Sequence, residues 1–137
     1  MINSLKGKRI AIIEDDVVNL AVFATVLRKA GAILIQDNFT ADPVKKLLGY
    51  QKIDLILLDL LLRYEQDGYS VFETLQATPE LKGIPVVAIS SLDPATEIPK
   101  LKAKGFSGFI SKPVNVNNFT QQLLDTLSGQ SVWTTGR

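Results

Sequence analysis

The sequence predicts an α/β fold: a doubly wound, five-stranded parallel sheet in the order 2-1-3-4-5, flanked by five helices. Three observations predict it. Of five short strand candidates, most are continuous apolar runs rather than alternating ones, as strands covered on both faces require. Stretches of helical period separate those runs, so the chain reads as strand then helix, repeated. Four of the runs end in polar residues, as expected where a parallel sheet binds ligands at the carboxyl ends of its strands.

Taken in order, the first strand is expected over Arg9 to Ile13, followed by Leu20, Phe23, Ala24 and Leu27 at the i, i+3, i+4, i+7 spacing of an amphipathic helix. Gly31 is placed to stop it. The second strand, Ile33 to Gln36, leads to Asp42-Pro43, a helix N-cap followed by proline at the first helical position, with Gly49 at the far end. Asp54 to Leu58 forms the third strand, Val86 to Ile89 the fourth and Gly108 to Ser111 the fifth. Pro94 and Pro99 predict a short or late-starting fourth helix before Gly105. Asn115 or Asn117 can cap the last helix, which carries Phe119, Leu123 and Leu127 on one face. Residues 1–128 are read as one domain, and residues 129–137, rich in Gly, Ser and Thr and containing Trp133, as a flexible tail.

Composition bounds the chemistry. With 137 residues, 46% hydrophobic, the chain suits one domain with a full core. A net charge of +1 gives no strong attraction for nucleic acid or an anionic membrane, and no apolar stretch approaches the roughly 20 residues that span a bilayer. The polar amino terminus lacks a secretory signal, so a cytoplasmic protein is expected. Cysteine and histidine are absent altogether, which removes disulfides, thiolate nucleophiles, the usual zinc sites, a histidine base and a Ser-His-Asp triad. Carboxylates, hydroxyls and lysine remain, and they favour a hard cation such as Mg2+, with Mn2+ as an alternative, together with phosphate.

The polar strand ends are Glu14-Asp15-Asp16, Asp59, Ser90-Ser91 and Lys112-Pro113. Taken singly, each has an ordinary reading as a solvated first turn, a cap, a loop or a turn. In the order 2-1-3-4-5 the first and third strands are neighbours about 4.8 Å apart, close enough for their carboxylates to share one small cation. Lysine on the fifth strand starts roughly 10 Å away, a gap its long side chain largely covers.

Together these residues resemble the receiver domain of bacterial two-component response regulators from about Lys8 to Leu127. The match runs through Ile12-Ile13-Glu14-Asp15-Asp16, Asp54-Leu55-Ile56-Leu57-Leu58-Asp59, Asp67-Gly68, Ile84-Pro85-Val86-Val87-Ala88-Ile89-Ser90 and Phe109-Ile110-Ser111-Lys112-Pro113. The resemblance implies a flavodoxin-like receiver fold of the single-domain type. It also implies a non-enzymatic phosphoacceptor that catalyses only its own phosphoryl transfer and slow autodephosphorylation. Asp59 would take the phosphoryl group, and Ser90 and Lys112 would bind its oxygens. Glu14, Asp15, Asp59 and the Leu61 backbone carbonyl would serve Mg2+. Ser90 and Phe109 would form the switch, and Lys112-Pro113 would be a cis bond. The partners implied are a sensor histidine kinase or histidine phosphotransfer protein and a downstream protein effector. The signalling face is that of helix 4, strand 5 and helix 5, with Lys100, Lys102 and Lys104 on it; helices 4 and 5 are also an option for homodimerisation.

Departures from the family pattern fall around the acceptor. Arg63 stands where proline is usual, and Gly68 comes nine residues after Asp59 rather than eight, so one residue is inserted in that loop. Ser91 replaces a small apolar residue. Leu61 and Leu92, two positions beyond Asp59 and Ser90, are apolar and should hinder in-line attack by water, which predicts slow autodephosphorylation. A phosphorylation-independent interaction module with the same fold stands as the alternative. A haloacid-dehalogenase-type phosphatase would want a second Asp where Leu61 stands, and an FMN carrier would not place three carboxylates in its phosphate loop.

Overall fold

The computed structural model describes residues 4–37, 42–50, 52–62 and 67–134. Its elements alternate as β1 (Arg9–Ile13), α1 (Val17–Lys29), β2 (Ile33–Asp37), α2 (Pro43–Leu47), β3 (Leu55–Asp59), α3 (Gly68–Ala77), β4 (Val86–Ser90), α4 (Pro94–Lys104), β5 (Gly108–Ser111), α5 (Val116–Leu127) and β6 (Val132–Trp133). All pairings between the strands are parallel, and the sheet order is β2-β1-β3-β4-β5-β6.

Continuous apolar strands follow from a core on each side of the sheet. Ala11, Ile13, Ile56 and Leu58 face a core shared with Val71, Phe72 and Leu75 of α3 and Leu101 of α4. The intervening residues Ile10, Ile12, Leu55 and Leu57 face the other core, shared with Leu20, Phe23 and Leu27 of α1 and Phe119 and Leu123 of α5. β3, β4 and β5 therefore spend their whole length in buried surroundings, as does β1 after Arg9.

Local capping is largely as the sequence implies. Asp42 and Asn115 accept from Lys45 and Asn117 amides at the starts of α2 and α5, while Gly31 and Gly105 take positive φ of 95° and 101° after α1 and α4. Asp16 caps α1 by accepting from the amides of Val18 and Asn19, which separates it in role from Glu14 and Asp15. The Lys112-Pro113 bond is cis.

Two expectations are corrected. The fourth helix is neither short nor late: α4 begins at Pro94 and runs 11 residues with Pro99 inside it. Asp93 caps it, and the missing Pro99 amide deprives only the carbonyl of Ala95, an exposed residue whose carbonyl water can serve. The second correction concerns the segment read as a flexible tail, and with it the strand count. Val132 and Trp133 form a sixth strand in register with Gly108 and Phe109 of β5. The Thr134 amide donates to the Phe109 carbonyl at 2.9 Å, and the Ser111 amide donates to Thr134 Oγ1 at 3.0 Å. Backbone pairing with an otherwise open strand edge orders a stretch whose composition alone suggests disorder.

Candidate functional site

Strand order brings the predicted residues together. Asp59 is the last residue of β3 and Ser90 the last of β4, one residue later in each case than the apolar runs suggest. Glu14 and Asp15 follow β1, next to β3, and Lys112 follows β5. Carboxylate oxygens of Glu14, Asp15 and Asp59 all lie within 4.8 Å of one another. Lys112 Nζ crosses from β5 to stand 2.9 Å from Asp59 Oδ2 and 2.9 Å from Glu14 Oε1.

The acceptor loop is held at several points. The Leu61 amide donates to Asp59 Oδ1 at 3.0 Å, the Leu60 amide to the Ile89 carbonyl at 3.3 Å and the Gly68 amide to the Leu60 carbonyl at 2.9 Å. Asp67 caps α3 through the Ser70 amide and also bridges to Leu61. Gly68 is required by close approach: a β-carbon there would lie 2.6 Å from the Asp59 carbonyl oxygen. Arg63 and the rest of the lengthened stretch, residues 63–66, lie outside the described residues.

Electrostatics in the cluster are strained by burial. Glu14 is fully buried and Asp59 nearly so. Desolvation, reinforced by the nearby Asp59 charge, pushes the Glu14 carboxyl up to about 7 from 4.5, against the opposing pull of Lys112. For Lys112, burial alone favours the neutral amine, but the hydrogen bond to Asp59 and the attraction of both the Asp59 and Glu14 carboxylates together outweigh it and hold the ammonium above its ordinary value. Glu14 Oε1 has the Lys112 ion pair but no aligned hydrogen bond. A buried carboxylate oxygen short of donors, in a set of three carboxylates, fits a hard divalent cation bound through oxygen.

A raised carboxyl pKa makes stability fall with rising pH, because between about 4.5 and 7 the folded chain holds a proton that the unfolded chain has released. In chelator, the contribution of Glu14 is therefore expected to worsen by on the order of 3 kcal/mol from pH 4.5 to above pH 7. Urea unfolding of wild type and Glu14→Gln across that window measures it as a difference. A constant difference would contradict the assignment.

The remaining predicted residues are placed less uniformly. Ser90 is buried, its Oγ accepting from the Leu92 amide at 3.1 Å, while Ser91 is exposed. Leu61 is half exposed at the rim beside Asp59, whereas Leu92 is partly buried against the α3-side core. Phe109 is fully buried in that core. Each of the three lysines expected on the open face has a partner: Lys100 with Glu97 at 3.8 Å, Lys104 with Glu73 at 3.7 Å and Lys102 over the Trp133 ring at 5.2 Å.

One polar contact escaped sequence reasoning. Tyr69 Oη donates to Glu97 Oε1 at 2.6 Å, joining α3 to α4, and Glu97 is only 7% exposed. Burial, then the Glu97 carboxylate, push the Tyr69 phenol well above its usual value. A glutamate among lysines on a helix reads as solvated surface, so only packing reveals it.

Comparison with known proteins agrees with this geometry. The chain is 28% identical over 116 residues to the polar-differentiation response regulator DivK of Brucella anthropi, covering 85% of this chain and 93% of that one. A response regulator from Desulfuromonas acetoxidans superposes with a TM-score of 0.78 at 26% identity, covering 88% of this chain and 97% of that one. Chemotaxis response regulator CheY4 of Vibrio cholerae shares the fold with a TM-score of 0.78 at 16% identity, covering 87% and 98%. The model of the response regulator receiver domain matches residues 10–124, and with the acidic cluster and lysine at the expected strand ends, the chain belongs to that family.

Proposed function

We propose that the chain accepts a phosphoryl group on Asp59 from a phosphohistidine donor in a Mg2+-dependent reaction of a two-component phosphorelay. The observation that carries this is a nearly buried carboxylate, Asp59, held by the Lys112 ammonium at 2.9 Å and grouped with two further carboxylates within 4.8 Å. In the transfer, the donor P–N bond breaks, a P–O bond to an Asp59 oxygen forms, and the released imidazole nitrogen keeps the electron pair and takes up a proton. None of the 137 residues is histidine, so the donor lies outside them, on a sensor kinase or a histidine phosphotransfer protein.

Glu14, Asp15, Asp59 and the Leu61 carbonyl are the residues that would hold the metal, with Glu14 acting largely through water. Bound there, Mg2+ offsets the charge of the carboxylates and of the phosphoryl oxygens. Lys112 neutralises the developing oxygen charge from the β5 side. Ser90 exchanges its contact with the Leu92 amide for donation to a phosphoryl oxygen, and Phe109 moves with it, altering the face formed by α4, β5 and α5 for a downstream protein. The chain is thus a phosphoacceptor rather than an enzyme with separate substrates.

The alternative, an interaction module that works without phosphorylation, is disfavoured because acidic pair, acceptor and lysine all meet in one cluster. Intact mass spectrometry after incubation with acetyl phosphate, with and without Mg2+, tests the choice. Wild type should gain one phosphoryl group only with the metal, and Asp59→Asn should gain none; no gain under any condition favours the interaction module.

Slow loss of the phosphoryl group is expected because Leu61 presents an apolar side chain at the rim and Leu92 packs beside Ser90. Leu61→Asn, which can orient water, should shorten the phosphate lifetime roughly tenfold or more, with Leu92→Glu acting in the same direction. Decay of the phosphorylated mass peak reads it directly. An unchanged lifetime in both variants would sink the explanation.

A further inference from the structure

β6 is a short strand with a demanding fit. Among the described residues only Val132 and Trp133 pair with β5 on this side, yet the approach is so close that a β-carbon on Gly108 would lie 2.6 Å from the Val132 carbonyl oxygen. Thr134 adds two hydrogen bonds, to the Phe109 carbonyl and from the Ser111 amide. Trp133 leans on the α3-side core with Lys102 of α4 over its ring, and Val132 leans on the other core. The link from α5 is four residues long and turns at Gly129, where φ is 98°. A two-residue strand is marginal by itself, and the short tether keeps it at high local concentration.

Its position in the sheet gives it a direction. Asp59 ends β3, two strands to one side of β5, and β6 lies on the opposite side. Ser111, whose amide is bound by Thr134, is the residue directly before Lys112, whose ammonium is bound by Asp59. The end of β5 is thus gripped from both flanks. A phosphoryl group on Asp59 exchanges one carboxylate charge for a nearly dianionic acyl phosphate, a net gain of about one negative charge on the β3 side, and holds Lys112 more tightly to that side, which is away from β6.

We infer that β6 is a releasable clasp closing the β5 edge of the α4, β5 and α5 face, and that phosphorylation of Asp59 loosens it. The inference rests on the phosphoacceptor reading. Release uncovers the Phe109 carbonyl and Ser111 amide as an unpaired strand edge, the kind of surface to which an extended segment of another protein adds. By linkage, clasp and phosphoryl group oppose each other at equilibrium.

The 137-residue chain tests this, since Trp133 is the only tryptophan in it. Intact mass and tryptophan emission are followed together after addition of acetyl phosphate and Mg2+, with amide hydrogen exchange at Ser111 and Thr134. On phosphoryl gain, emission should move to longer wavelength and exchange at both amides should quicken by about tenfold or more; Asp59→Asn should show neither. Gly108→Ala should show the shifted emission without any donor. Phosphoryl gain with emission and exchange unchanged, or with stronger protection, overturns the clasp and leaves the phosphoacceptor reading intact. Failure to gain the group overturns both, and the wild-type result decides even if Gly108→Ala does not fold.

Discussion

Lys112→Met is expected to destabilise the chain by about 3 kcal/mol in chelator near pH 8, with most of the loss recovered in millimolar Mg2+. Methionine keeps much of the stem's packing and removes only the ammonium, which stands 2.9 Å from both Glu14 and Asp59 and is mostly shielded from water. The two carboxylates would then face each other unscreened, a repulsion of about 4 kcal/mol for charges 4 Å apart at an effective dielectric of 20. A divalent cation relieves it, as does protonation of Glu14, whose carboxyl rises further once the Lys112 ammonium that lowers it is gone. Urea unfolding with EDTA or Mg2+, at pH 6 and pH 8, separates these contributions. Equal losses in all four conditions would mean that Lys112 contributes packing rather than charge. The same variant should also lose phosphoryl gain from acetyl phosphate.

Gly68→Ala is expected to cost about 2 to 3 kcal/mol, opposite to the usual gain from alanine in a helix. The added carbon would lie 2.6 Å from the Asp59 carbonyl oxygen and 2.7 Å from Leu60 Cα, and neither backbone atom has room to yield without moving the end of β3. Because that end carries the Asp59 carboxylate, Mg2+ affinity should fall alongside stability. Gly83→Ala provides the control, since nothing lies within 4 Å of a β-carbon there. Urea midpoints and Mg2+ titrations of the two variants should differ clearly; matching behaviour would refute the close-approach argument.

Much of the fold was legible because burial on both sheet faces leaves a pattern that sequence records directly. The runs from Ile10 to Ile13 and Leu55 to Leu58 alternate between two cores, so apolar residues are demanded at every position. The site was legible for a related reason: in such a chain, a charged residue at the end of an apolar run is where the strand leaves the core, and strand order does the gathering. β6 was not legible, since two residues carry no period and Ser-Gly-Gln-Ser before them reads as a loose linker. The missing β-carbon of Gly108 was the one local sign of a neighbour pressed against β5. Phe109 could be named as a switch residue, but its full burial and its register with Trp133 depend on that unseen strand. Pro99 misled because proline's cost in a helix depends on whether the orphaned carbonyl meets water, which the sequence does not state.

The contact between Tyr69 and Glu97 ties the first turn of α3 to α4. Separating the two helices would break a 2.6 Å hydrogen bond to a carboxylate, a contact worth roughly 1.5 to 3 kcal/mol. Tyr69 directly follows Gly68, which abuts the Asp59 backbone. Displacement at the end of β3 can therefore reach α4 through the first turn of α3, a route that does not pass through β4 or β5.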